Sequence, residues 1–205
     1  MYLLGHLGVG LLAFAPLAYH LCRTGRDRLA CIGTATVLLL ASSPDVDMYV
    51  PGIAHRGITH TVWAALLVGA LLAFLGWRLH TDDSGQERAA GFASLLGITS
   101  VGSHLLGDVL TPMGIRPFAP LVETEYTLSL VAARNPEANL LLLVAGVLSV
   151  SPSFGRVWAR AGYPLPSWPV RLPGGRADVA SSGPDPVSED RAPSTRQRLR
   201  DDDSP

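Results

Sequence analysis

The sequence predicts an all-α fold: a multi-pass membrane helical bundle of about five spans, followed by a disordered tail. Three observations predict it. Only 16% of the 205 residues are charged, against about 25% in soluble domains. Apolar runs long enough to cross a bilayer recur along residues 1–160. The polar residues are displaced to the end: residues 164–205 hold 13 of the 33 charged residues and 8 of the 16 prolines. Residues 1–160 are therefore expected to form a membrane-embedded helical domain. Residues 161–205, rich in Pro, Arg and Asp, are expected to be a disordered cytoplasmic tail.

Composition also excludes function classes. Net charge is −1 and all 16 basic residues are Arg, which argues against nucleic-acid binding through a basic surface. The two cysteines, Cys22 and Cys31, are too few for a disulfide framework or a Cys-rich zinc finger.

Crossing a bilayer takes roughly 20 mostly apolar residues. Residues 3–22 meet this with no Asp, Glu or Arg, and Arg23, Arg26 and Arg28 follow the run instead of preceding it, unlike a secretory signal peptide. Residues 29–43 form a shorter run ending at Pro44. Residues 61–79 are nearly continuous, with Thr59 as a candidate N-cap that places His60 in the first turn. Residues 89–110 are rich in Gly, Ala and Ser, which let membrane helices approach closely. Residues 138–150 are the last run, and with the second the shortest. The alternative, a soluble bundle of buried helices, is disfavoured because several runs lack a polar face.

Arginine sets the orientation. Alternate loops carry Arg23, Arg26, Arg28, Arg78, Arg88, Arg156, Arg160, Arg171 and Arg176, against Arg56, Arg116 and Arg134 on the other side. Nine against three assigns the first set to the cytoplasm of a plasma-membrane protein. Ionisable residues inside spans are costly and ask for a reason. They fall in four motifs: His6 at the start of the first run; Asp45 and Asp47 in Ser-Pro-Asp-Val-Asp; His55, Arg56 and His60 in His-Arg-Gly-Ile-Thr-His; and His104 and Asp108 in His-Leu-Leu-Gly-Asp. The Arg-based topology puts all four at the extracytoplasmic face, with His20 and His80 at the opposite face as bystanders. His104 and Asp108 are four apart, on one face of a helix. Pro44 redirects the chain so that both following carboxylates can turn to one centre. Imidazoles and carboxylates together suit one or more divalent cations. Zinc is favoured by His-rich ligation, with manganese or iron as alternatives, and a coordinated carboxylate is no longer an unpaired charge.

These motifs, together with Gly107, Thr111, Gly114, Pro117 and Phe118 in their spacing, resemble the YdjM family of LexA-regulated inner-membrane proteins, regarded as metal-dependent hydrolases. The resemblance covers roughly residues 1–150. That family is in turn distantly similar to the zinc-dependent phospholipases C, all-helical proteins with a His/Asp metal cluster. The resemblance implies His6, Asp45, His60, His104 and Asp108 as metal ligands. Asp47 and His55 are implied as ligands by the closer family only. No His follows His104, where the phospholipases have one, so one or two ions are implied instead of three. The expected chemistry is hydrolysis of a lipid or other phosphoester by metal-activated water. Asp47 or Asp45 would serve as general base, and Arg56, less so Arg116, would hold an anionic group. Arg56 as a helix-end anchor is the blander alternative, and Glu123 and Glu125 are expected to be solvated. A metal or proton transporter, or a non-enzymatic protein with a structural metal site, would use the same residues. A transport path needs polar groups through the full thickness, and the cytoplasmic halves carry few.

Overall fold

The computed structural model describes residues 1–162, so nearly all of the expected tail lies outside the described residues. Five α-helices follow one another: α1 (Leu3–Arg23), α2 (Asp27–Leu40), α3 (Val62–Arg78), α4 (Asp83–Val109) and α5 (Pro136–Arg160), with 3-10 turns over Ser43–Tyr49 and Ile58–His60. The fold is all-α. The β-type pairing among the described residues is a single bridge between Ile115 and Tyr126.

Four helical segments are long and apolar enough to cross a membrane: α1, α2 with the turn after it (Asp27–Tyr49), α4 and α5. The short helix is α3, with 17 residues, or about 26 Å, at the lower limit for a span. Apolar-run length alone makes the second and fifth the short ones instead. The second gains length because Pro44, unable to continue an α-helix, begins a 3-10 turn. The fifth runs through Pro152 to Arg160. There the hydroxyls of Ser149 and Ser151 donate to the carbonyls of Gly146 and Val147, each at 2.7 Å, so the polar stretch stays inside its own helix.

α1 packs on α5, α2 and α4, and α3 packs on α4. Phe14, Ala18, Cys22, Ala30, Val37 and Leu96 join α1, α2 and α4 in one apolar cluster. Ala65, Val101, Leu105 and Ile115 join α3, α4 and the loop after α4. Small residues set the α3/α4 spacing: a Cβ on Gly97 would lie 2.9 Å from the Cα and N of Gly69. The outward faces carry Leu66, Leu67, Leu71 and Phe74 on α3 and Leu141 and Leu148 on α5. Such faces are stable against hydrocarbon, with backbone polar groups satisfied within each helix. This is a membrane protein in a bilayer environment.

The connections are unequal. Residues 24–26 and 79–82 close one end tightly. There Asp82 caps α4: the Gly85 N–H (2.8 Å) and the Ser84 hydroxyl (3.2 Å) donate to it and hold its carboxyl below the usual range. The long connections, 41–61 and 110–135, lie at the other end, and the first carries two of the four motifs. The second folds back on the helices: the N–H groups of Val62, Leu128 and Leu130 donate to the carbonyls of Pro117, Val109 and Leu110 at 2.8, 2.7 and 2.9 Å.

Candidate metal centre

Each element end delivers part of the cluster. His6 is in the first turns of α1, Asp45 and Asp47 on the 3-10 turn after α2, and His60 on the 3-10 turn before α3. His104 and Asp108 share a face near the end of α4. The cap of α3 differs from the one the sequence predicts. Thr61, not Thr59, is the N-cap, accepting from the Ala64 N–H at 3.3 Å, so His60 sits just ahead of the helix and not in its first turn. Thr59 is thereby free to bond within the cluster. His6, His60 and His104 are fully buried, Asp108 and Asp47 almost so, and the Asp45 side chain is 24% exposed.

Two carboxylate oxygens lie close to a pair of facing imidazole nitrogens. His60 Nε2 and His104 Nε2 are 3.1 Å apart. Asp45 Oδ1 lies 3.4 Å from both, and Asp108 Oδ2 lies 3.4 Å from both. His6 stacks on His104, ring centroids 3.7 Å apart. Its Nε2 is 3.6 Å from Asp108 Oδ1 and 4.0 Å from Asp45 Oδ2. Two groups of side chains could hold a metal ion: His6 with His104 and Asp108, and Asp45 with His55 and His60.

Tautomers follow from the outer partners. His104 Nδ1 is 2.7 Å from the Ala41 carbonyl, which only accepts, so Nδ1 carries the proton and Nε2 offers a lone pair. Thr59 donates its hydroxyl to Asp47 Oδ2 at 2.7 Å and turns a lone pair to His60 Nδ1 at 3.0 Å. Asp47 Oδ2 is 3.2 Å from the same nitrogen. His60 Nδ1 therefore faces acceptors alone, and its Nε2 also offers a lone pair. With both imidazoles neutral, two lone pairs and two carboxylate oxygens face one another there. His6 Nε2 and Asp108 Oδ2 are buried without a hydrogen-bond partner. Buried polar atoms are normally satisfied, and a cation at this point would satisfy them.

Asp47 lies on the far side of His60 from this point. Its oxygens receive His55 Nδ1 at 2.9 Å, the Arg56 N–H at 3.2 Å, and Thr59. Asp45 and Asp47 thus reach one cluster from opposite sides of a single imidazole. Arg56 is 9% exposed in its side chain and bonds Asp108 Oδ1 at 2.8 Å, Thr111 Oγ1 at 3.2 Å and the Gly114 carbonyl at 2.8 Å. These bonds tie Arg56 to the end of α4 and to the loop after it. The amino group of Met1 also meets Asp108 Oδ1, at 2.8 Å. His20 and His80 are exposed and sit at the opposite helix ends. Arg116 pairs with Glu123 at 3.3 Å, both exposed.

Two further residues support the cluster, and one of them, Asn139, is not evident from the sequence motifs. Buried Asn139 on α5 accepts from the Tyr2 N–H at 3.1 Å and donates to the carbonyls of Asn135 (2.6 Å) and Ala133 (3.2 Å), tying the start of α1, and so His6, to α5. Thr111, besides receiving Arg56, donates to the Asp108 carbonyl at 2.8 Å. A polar residue at the first turn of an apolar run is the signal that marks Asn139. Beside the cluster, His55 and Arg56 form part of the wall of a cavity of about 530 Å³.

Neither a curated protein nor a solved structure matches the chain. A family model does, over residues 1–168, described as YdjM inner membrane protein. An inner-membrane family agrees with the apolar helices, and the chain belongs to the YdjM inner membrane protein family.

Proposed function

We propose that the protein is a membrane-embedded, metal-dependent hydrolase of phosphoesters, with its metal centre at the extracytoplasmic side. The observation that carries the reading is the spacing of four donor atoms. Zinc bonds to N and O are about 2.0–2.1 Å, so neighbouring ligands of a tetrahedral site stand about 3.3–3.4 Å apart. His60 Nε2 and His104 Nε2 stand 3.1 Å from each other and 3.4 Å from both Asp45 Oδ1 and Asp108 Oδ2. These four residues would hold the ion, with His6 as a fifth ligand or as part of a second site. Zinc fits the donor set and the spacing.

When bound, such an ion supplies Lewis acidity and a water of lowered pKa. The chain's own residues supply the rest. Asp47 orients His60 and His55 and has no free oxygen with which to act as base. His55, 37% exposed and held through Nδ1, takes the water's proton at Nε2 as the new P–O bond forms. It returns that proton to the leaving alkoxide as the ester P–O bond breaks. Arg56 fixes Asp108 Oδ1, leaving Oδ2 for the ion. Hydrolysis is favoured over transport because the buried His and Asp side chains among the described residues gather at one end. Thr34, Ser100 and Ser103, deeper in the bundle, each donate to a carbonyl of their own helix.

The test is elemental analysis of detergent-purified protein together with hydrolysis of bis(p-nitrophenyl) phosphate. Wild type and His20→Ala are expected to carry one or two zinc equivalents and to hydrolyse the ester. His104→Ala and Asp108→Ala are expected to lose both. Full metal content in those two variants would overturn the ligand set, and metal-loaded protein without hydrolysis would overturn the reaction.

A further inference from the structure

The cavity beside the metal centre has a composition that hydrolysis of a soluble ester leaves unexplained. Its wall runs from His55 and Arg56 past Ile58, Met113 and Ile115 to Arg116. Arg56 is nine-tenths buried, yet its Nε–H has no hydrogen-bond partner. An unmade bond on a buried guanidinium is costly, and this residue lies in the cavity wall. Arg116, for its part, is held by an exposed pair with Glu123, which is weak and easily opened. Two guanidinium groups with donors to spare suit a phosphoryl group.

The rim points to the rest of the ligand. Ile58 is 67% exposed and Met113 62%, in loops that a water-facing hydrolase would keep polar. Large exposed apolar residues gathered at a cavity mouth mark an apolar partner. Depth names that partner. His6 is the fourth residue of α1 and His104 lies five residues before the end of α4, so the centre is about 5–8 Å inside the helix ends. α4 has 27 residues, about 40 Å. That is the thickness of a bilayer with its headgroups, whose hydrocarbon part is about 30 Å. The centre therefore lies at the level where a lipid's phosphate meets its hydrocarbon.

We infer that the cavity is a lateral entry site for a leaflet-resident phospholipid: its phosphodiester meets the Arg56 Nε–H and Arg116, and its acyl chains leave across Ile58 and Met113 into the bilayer. The inference rests on the phosphoester reading above and deepens it from a soluble ester to a membrane lipid.

The experiment separates the two claims by measuring binding without turnover. Metal-stripped protein is reconstituted in phosphatidylethanolamine vesicles doped with a phospholipid bearing a photoreactive group beside its phosphate, and adducts are mapped by peptide mass spectrometry. Adducts are expected to concentrate on residues 54–58 and 113–125. Met113→Asp and Arg116→Ala are expected to lower them at least fivefold, and Leu79→Asp, at the opposite end, to leave them unchanged. Both sensitive positions are exposed, so folding should survive, and circular dichroism checks it. Adducts spread evenly over all helix ends, or undiminished in both variants, would overturn the entry site. So would equal loss on adding millimolar glycerophosphoethanolamine, because a site built for the acyl part should ignore a free headgroup. Concentrated adducts alongside metal-loaded protein that cleaves no phosphodiester would leave the entry site standing and remove the hydrolase reading.

Discussion

At the residue scale the centre is organised by what stands behind its ligands. His104 is held by a backbone carbonyl and His60 by Asp47 and Thr59. Both imidazoles are thereby fixed in the tautomer that turns Nε2 inward, the arrangement that orients histidine at metal sites. Arg56 adopts a left-handed backbone, φ 60°, at a cost of about 1–2 kcal/mol for a residue with a Cβ. Its N–H bond to Asp47 and its three guanidinium bonds offset that cost. These contacts yield a prediction that distinguishes an orienting Asp47 from a ligating one. Asp47→Ala is expected to weaken zinc affinity about 10–100-fold while full occupancy is still reached at saturating zinc, read by competition with a chromophoric chelator. Loss of a whole metal equivalent at saturation would make Asp47 a ligand. The motif residues were legible because a charge or imidazole in an apolar run has few reasons to exist. Their division into ligands and orienters was not, since Asp45 and Asp47 differ only in which side of His60 they reach.

At the element scale, close approach of helices depends on residues without side chains. Gly97 of α4 meets Gly69 of α3, whereas a Cβ added to Gly91, on the same helix, would have nothing within 4 Å. Gly97→Ala is therefore expected to overpack the contact and destabilise by about 1–3 kcal/mol. Gly91→Ala should be neutral or should stabilise by up to about 1 kcal/mol through helix propensity. Thermal unfolding of the two variants in one detergent checks the pair, and equal midpoints would show that the α3/α4 spacing is not set by Gly97. The existence of five helices could be read from apolar runs because burial in lipid demands little else of a sequence. Their ends could not. Thr59 and Thr61 are both plausible caps, and the choice falls to Thr61 because Asp47, far off in sequence, takes the Thr59 hydroxyl. The serines around Pro152 have the composition of a helix terminus, yet Ser149 and Ser151 bond backward within α5.

At the scale of the whole molecule, the centre is the junction where four of the five helices and both long connections meet. Binding there should stabilise the fold as a unit, because a ligand that binds only the folded state adds about 4 kcal/mol at a thousand times its dissociation constant. Chelation is expected to lower the unfolding midpoint by several degrees and zinc to restore it. His104→Ala should unfold at the same temperature with or without chelator, and a chelator effect in that variant would place the stabilising ion elsewhere.

Orientation is the other property of the whole. The tight-turn end carries Arg23, Arg26, Arg28, Arg78 and Arg88, while the end with the centre carries Arg116 and Arg134 at its surface, Arg56 being buried. Burial of Arg56 sharpens the asymmetry that the positive-inside rule reads, because that residue is part of the centre and not of a loop. The centre is accordingly expected outside the cytoplasm. With Cys22 and Cys31 replaced by Ala, Leu121→Cys should react with a membrane-impermeant maleimide on intact spheroplasts, whereas Leu79→Cys should react only after lysis. Both positions are at least 75% exposed, so differential labelling reports sidedness and not burial. The reverse pattern would place the centre in the cytoplasmic leaflet, and the lipid it meets would then come from that side.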